Sequence, residues 1–163
     1  MGFVIEDICD AEFEALDFPL PQEAIEEMKA SEEHGSVTDG KSQILDDIVN
    51  SDEALLASVD GKPLFVVGVN TDLWSEQYKA FVIWGFSSIH AKGYPKLMVT
   101  EGRKLIAELA DSYGALINCV DRRYAQSQKW LEMIGFRKTG AVVFHDGVPF
   151  DEMLYCPEWQ KEV

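Results

Sequence analysis

The run Pro95-Lys-Leu-Met-Val-Thr-Glu-Gly-Arg-Lys-Leu-Ile-Ala-Glu-Leu-Ala-Asp-Ser-Tyr-Gly114 decides the fold. Leu97, Met98, Gly102, Leu105, Ile106, Leu109 and Tyr113 recur at helical spacing. Pro95 suits a first helical position and Gly114 a C-terminal stop, so one long helix is predicted over Pro95–Tyr113. The next stretch, Ala115–Val120, is a short apolar run of the kind that forms a buried strand. Helical spacing returns over Ala125–Ile134, with Trp130, Leu131 and Ile134 set inward and Gly135 as the stop.

Working outward, Phe3–Ile8 reads as a first strand and Ala11–Leu16 as a short helix that ends before Pro19. Pro21 opens a second helix with Ala24, Ile25 and Met28 on one face. Ser31–Ser42 is polar, holds Gly35 and Gly40, and reads as a mobile loop; Ser42–Val49 reads as a further helical turn. Ala54–Val59 and Pro63–Val69 are strands joined through Asp60-Gly61-Lys62, a hairpin signal, and Ala80–Phe86 is the third strand of that sheet. Val142–Phe144 and Met153–Tyr155 lie in a last hairpin turning near Asp146-Gly147. The order β-α-α-β-β-β-α-β-α-β-β implies an α/β (α+β) mixed sheet with helices on both faces, in one domain over residues 1–163.

A chain of 163 residues with 47% hydrophobic side chains can bury a real core, which excludes disorder. The longest apolar runs, Leu64–Val69 and Ala80–Trp84, are far too short to cross a bilayer. The N-terminus lacks the basic-then-apolar order of a signal peptide, and Asp7 stands where a myristoylation motif has Ser or Thr, so a soluble, non-secreted protein is expected. Cys9, Cys119 and Cys156 show neither metal spacing nor a disulfide framework, and no metal site is expected. Cys119, inside an apolar run, reads as a buried free thiol.

The net charge of −15 is unevenly spread. Residues 1–87 carry 4 basic and 19 acidic side chains, whereas residues 88–140 carry 9 basic and 5 acidic. Such an acidic chain is ill-suited to gripping nucleic acid, and the basic middle segment is where a phosphate-bearing ligand would be welcome. The charge also suits an acidic mimic of nucleic acid, which the ordinary hydrophobic content and the basic segment oppose.

Cys119-Val-Asp-Arg-Arg-Tyr-Ala-Gln-Ser-Gln-Lys-Trp-Leu-Glu-Met-Ile-Gly-Phe136 resembles the strand-to-helix signature of the GNAT (Gcn5-related N-acetyltransferase) superfamily, ending in its Ile134-Gly135-Phe136 step. The element order resembles the same superfamily over nearly the whole chain. Residues 74–155 also resemble the GNAT-like internal virion proteins of short-tailed phages. The resemblance implies an acyl-CoA N-acyltransferase-like fold and acetyl-CoA as cofactor. GNAT enzymes hold the pyrophosphate on a Gln/Arg-x-x-Gly-x-Gly/Ala turn that opens a long helix, where unpaired N–H groups and the helix dipole favour an anion. The matching residues are His90, Ala91, Lys92, Gly93, Tyr94 and Pro95, with Lys96 just beyond. His90 stands where Gln or Arg is usual, Gly93 keeps the first glycine, and Pro95 removes one donor, which Lys92 and Lys96 offset with charge.

The strand before this turn offers no carboxylate or His as general base, which leaves Glu76 and His90 as candidates. The position that carries the family's acidic Tyr holds Leu131, and Tyr124 is the nearest phenol, about two helical turns away. The resemblance with these departures implies a virion-associated or protein-interaction role with weak or no catalysis, in the host cytoplasm or the virion. The partner would be a phage or host protein that meets the acidic N-terminal half. The alternative is an acetyl-CoA-dependent N-acetyltransferase acting on an amine of a protein or small molecule.

Overall fold

The computed structural model of the protein describes residues 2–31 and 40–162. The expected loop over residues 31–42 falls mostly on residues 32–39, outside the described ones. In chain order the elements are β1 (Phe3–Asp7), α1 (Asp10–Glu14), α2 (Gln22–Ser31), α3 (Lys41–Val49), β2 (Glu53–Val59), β3 (Lys62–Ser75), β4 (Ala80–Ser87), α4 (Pro95–Tyr113), β5 (Ala115–Asp121), α5 (Ala125–Met133), β6 (Arg137–His145) and β7 (Val148–Tyr155). The seven strands form one mixed sheet in the order β1-β2-β3-β4-β5-β7-β6. β4 and β5 are parallel, with Ala80 opposite Ala115 and Val82 opposite Ile117, and the other paired registers are antiparallel.

The α/β mixed-sheet reading holds, with three corrections of extent. Three helices, not two, precede β2, because Ile44 and Ile48 give α3 a fully apolar side to bury. β3 runs on to Ser75 instead of ending at Val69, and β6 begins at Arg137 instead of Val142. At the start of β6, pairing of Arg137 with Leu154 and of Lys138 with Met153 supplies hydrogen bonds that the polar patterning does not signal. β6 absorbs its polar start with a bulge between Lys138 and Val142.

By its internal contacts the chain divides into two units, residues 1–71 with 83–94, and residues 72–82 with 95–163. In the first, Phe13, Phe18, Met28, Ile44, Ile48, Ala54, Leu56 and Val66 form a buried core against which Trp84 and Phe86 of β4 pack. Each such side chain fully removed from water contributes roughly 1.5–3 kcal/mol. Lys41 joins α3 to α1, its Nζ donating to the carbonyls of Glu14 at 2.7 Å and Leu16 at 3.0 Å, near the C-terminal end of α1. Gly40 caps α3 at φ 77°, where a Cβ would meet Leu20 Cδ1 at 2.7 Å, so no other residue fits without a shift.

In the second unit, α4 buries Met98, Gly102, Leu105, Ile106, Leu109 and Ala110. A Cβ on Gly102 would come within 3.0 Å of Ile134 and 3.3 Å of Trp130, so this glycine sets the close approach of the two segments. Trp130 Nε1 then donates to the Met98 carbonyl at 2.9 Å. Of the residues expected inward on α5, Ile134 is fully buried, but Trp130 and Leu131 are only half-buried. Gln128, a polar residue, takes the buried place, because its amide is paired to Val120 and Asp151. Cys119 is half-buried rather than buried; burial first, then the charge of Glu152, raises its thiol pKa above the ordinary value. All three cysteines are free. Among the described residues no helix is long and apolar enough to cross a membrane.

Candidate functional site

The site grows out of β4, the fourth of seven strands. A strand with neighbours on both sides normally has its faces covered, yet Gly85 is exposed. A Cβ there would meet nothing nearer than the Val66 carbonyl at 3.5 Å and Val67 Cβ at 3.8 Å, both from the adjacent strand. β4 is therefore exposed at Gly85.

The chain then enters a turn that is pinned before it reaches α4. Ser88 is buried; its N–H donates to the Leu64 carbonyl at 2.8 Å and its Oγ to the Pro63 carbonyl at 2.5 Å. The Ile89 N–H donates to the Pro19 carbonyl at 2.9 Å, and the His90 N–H donates back to Ser88 Oγ at 3.1 Å. Ile89–Gly93 is a short 3₁₀ helix, and the Tyr94 N–H donates to the Ala91 carbonyl at 3.0 Å. Within α4's first turn, Pro95 has no N–H, so helix geometry leaves the N–H groups of Lys96 and Leu97 without an intrahelical acceptor.

The predicted cofactor residues lie along this turn in different settings. Ala91 is buried and holds the turn to the body, whereas Lys92, Gly93 and Lys96 are exposed, and His90 and Tyr94 are half-buried. A Cβ on Gly93 would meet nothing within 4 Å, so its missing side chain serves neither packing nor a left-handed backbone. In sequence Gly93 lies between Lys92 and Lys96, two residues before α4 begins. These features fit the pyrophosphate of a coenzyme, with one donor fewer than usual because of Pro95.

The predicted catalytic residues are placed less favourably. Glu76 lies beyond the end of β3, its side chain 79% exposed, ion-paired to Lys79 and accepting a hydrogen bond from Trp74 Nε1 at 3.0 Å. Those two partners hold its pKa below the ordinary carboxylate value, which makes it a poor base. Tyr124 precedes α5 as its N-cap residue, with the Arg123 guanidinium carbon 5.3 Å from its ring centre. Leu131 is half-buried and has no proton to give. Among the described residues no group of three or more His, Cys, Asp or Glu side chains is arranged to hold a metal.

Sequence reasoning missed two polar clusters. In the second unit Asp121 and Asp151 are buried and bound by Arg123 and Arg122; the adjacent Asp121-Arg122-Arg123 at a strand end was the available signal. In the first unit Asp47 of α3 is half-buried, its Oδ1 accepting from Gln43 and its backbone carbonyl from Ser51 Oγ, which in turn accepts from Trp84 Nε1, and nothing local in sequence distinguishes it from Asp46.

No protein-family model matches the chain, and no curated protein matches it. Solved structures do. The aminoglycoside acetyltransferase AAC(6')-Ib, in complex with ribostamycin and coenzyme A, superposes with a TM-score of 0.71 at 14% identity, covering 100% of this chain and 98% of that one. The aminoglycoside N(6')acetyltransferase of Legionella pneumophila gives 0.71 at 15% identity, over 99% and 96%. A chimera of the Vibrio cholerae spermidine N-acetyltransferase SpeG and hSSAT gives 0.63 at 8% identity over the whole of both chains. The fold is that of the GNAT acetyltransferases. At these identities the likeness establishes the GNAT architecture alone.

Proposed function

We propose that this GNAT-fold protein binds acetyl-CoA along β4 and at the Ser88–Lys96 turn, and transfers the acetyl group to an amine of a cationic acceptor. The pinned turn carries the reading: Ser88, Ile89 and His90 are fixed by hydrogen bonds, while Gly93 and the start of α4 stay open. A turn kept only for structure has no reason to leave that space empty. When bound, acetyl-CoA supplies the activated acetyl thioester. The Lys96 and Leu97 N–H groups and the Lys92 and Lys96 ammonium groups would hold its phosphates. The neighbours that bind coenzyme A or acetyl-CoA, and act on aminoglycosides or spermidine, support an acceptor of cationic amine type. The excess of acid in residues 1–87 would draw such a cation in. With Leu131 at the position of the usual phenol, the proton for the leaving thiolate comes from water, so transfer is slow.

Calorimetry with acetyl-CoA, beside a Gly93→Glu variant, tests the reading. Micromolar binding that the variant loses is expected, followed by acetylation of kanamycin, ribostamycin or spermidine. Absence of heat from the native protein would remove it.

A second reading rests on Leu131 and on the likeness of residues 74–155 to phage internal virion proteins. The fold would then be kept as a binding surface, with the acidic N-terminal half meeting a phage or host protein. Its signature is the protein in purified virions together with no response to acetyl-CoA.

A further inference from the structure

The sheet ends at β1 on one side and at β6 on the other, and among the described residues no strand pairs with the outer edge of either. An outer strand presents N–H and C=O groups that a further strand can pair with, and proteins commonly blunt such an edge with charge. Here both edges are charged, with opposite signs. β1 is Phe3-Val-Ile-Glu-Asp7 and ends on two exposed acids, Glu6 and Asp7. β6 starts on two exposed bases, Arg137 and Lys138. The Arg137 guanidinium carbon lies 4.2 Å from the Trp159 ring centre, a contact that orients the cation without neutralising it.

Each edge strand also shows apolar side chains to water. Val4 of β1 is 49% exposed. On β6, Val142 and Phe144 alternate onto one face, and Phe144 is 68% exposed. The residues opposite these three in the ladder, Ser58, Asp151 and Pro149, are short and leave them uncovered. A single exposed Phe needs no explanation. One set on an open sheet edge, with the complementary charge on the other edge of the same sheet, points to a partner.

We propose that β6 of one molecule pairs antiparallel with β1 of a second copy, so that the sheet continues from chain to chain. The acids come last in β1 and the bases first in β6, so antiparallel pairing brings Glu6 and Asp7 to Lys138 and Arg137, and Val4 runs toward Val142. The bulge between Lys138 and Val142 falls between the basic and the apolar groups, and each group keeps a regular register on β7. Opposite charges across a ladder stabilise it, whereas two β1 edges or two β6 edges would offer each other no counter-charge. Because β1 and β6 are different surfaces, each molecule keeps one of each after pairing, and the contact repeats head to tail instead of closing on itself. β1 has five residues, so the contact is small, of the class below about 1,200 Å² that forms transient complexes. Neither strand carries a residue of the Ser88–Lys96 turn, and the pairing does not depend on the transferase reading.

Sedimentation velocity on the native protein, from about 10 μM to about 1 mM, tests the pairing beside Val4→Asp and Phe144→Asp. The native mass should rise with concentration past that of a dimer. Each variant spoils one edge and should stay monomeric over the same range, its dissociation constant raised at least about tenfold. Mixed one to one, the variants should give a discrete dimer. The intact β1 of Phe144→Asp meets the intact β6 of Val4→Asp, while the two altered edges bring acid to acid. Misfolded variants could not give that rescue. Native protein that stays monomeric at about 1 mM would overturn the proposal. So would a native assembly that stops at a dimer, loss of assembly in one variant or in neither, or a mixture no heavier than its parts.

Discussion

Asp151 and Asp47 are the same side chain in opposite circumstances. Asp151, in the second unit, is buried, and Arg122 grips it from Nη2 at 2.6 Å and Nε at 3.1 Å while Gln128 Nε2 adds a bond at 2.9 Å. Those bonds, the Arg122 ones foremost, hold its pKa down to about 2. Beside it Asp121, fully buried, accepts from the backbone N–H and the guanidinium of Arg123. Asp47, in the first unit, meets an amide and a like charge, and its pKa goes the other way. Where the fold supplies the counter-charge, the carboxylate is mortar for the junction of β5 and α5. Where burial and a like charge act instead, the carboxyl holds its proton to higher pH.

The largest break in that contrast should come from Asp121→Ala. It strands the Arg123 N–H and empties a filled site, at a cost of about 3 kcal/mol, or roughly 10 °C in Tm, read by thermal melting. Acid should act on the same side of the comparison. Because the folded pKa of Asp151 is depressed from 3.8 to about 2, its contribution is present above 3.8 and is lost as pH falls toward 2.

Asp47→Asn should sharpen the contrast with the opposite sign. Its folded pKa is raised from 3.8 to about 6, so the native state holds the extra proton in that window and stability falls as pH rises through it. The variant should therefore gain about 1 kcal/mol at pH 7, after allowance for solvent screening. The gain should vanish below pH 3.8 in denaturant titrations. The smallest effect is expected at the turn. Pro95→Ala restores an N–H at the start of α4 and should tighten acetyl-CoA binding about fivefold, near 1 kcal/mol, with little change in Tm.

The start of α4 at Pro95 was legible because a helix start rests on neighbours in sequence. The placement of Glu76 and Tyr124 was not. Glu76 is engaged by Trp74 and Lys79 on an exposed turn, and only the path of the β3–β4 connection shows that. The setting of Asp47 was not legible, because Ser51, whose Oγ donates to the Asp47 carbonyl, meets Trp84 of β4 across 33 residues of sequence.

The sequence by itself determined the long helix Pro95–Tyr113, the Asp60-Gly61 hairpin and the alternation of strand and helix that implies a mixed sheet. Periodicity and turn chemistry are local, and they are written within a few residues of where they act. Tertiary structure decided the rest: that α3 is a full helix, that Gln128 rather than Trp130 is fully buried, that Cys119 is half-open, and which carboxylates are paired. The free energy of a polar or charged group depends on what surrounds it, and those neighbours come from segments tens of residues away.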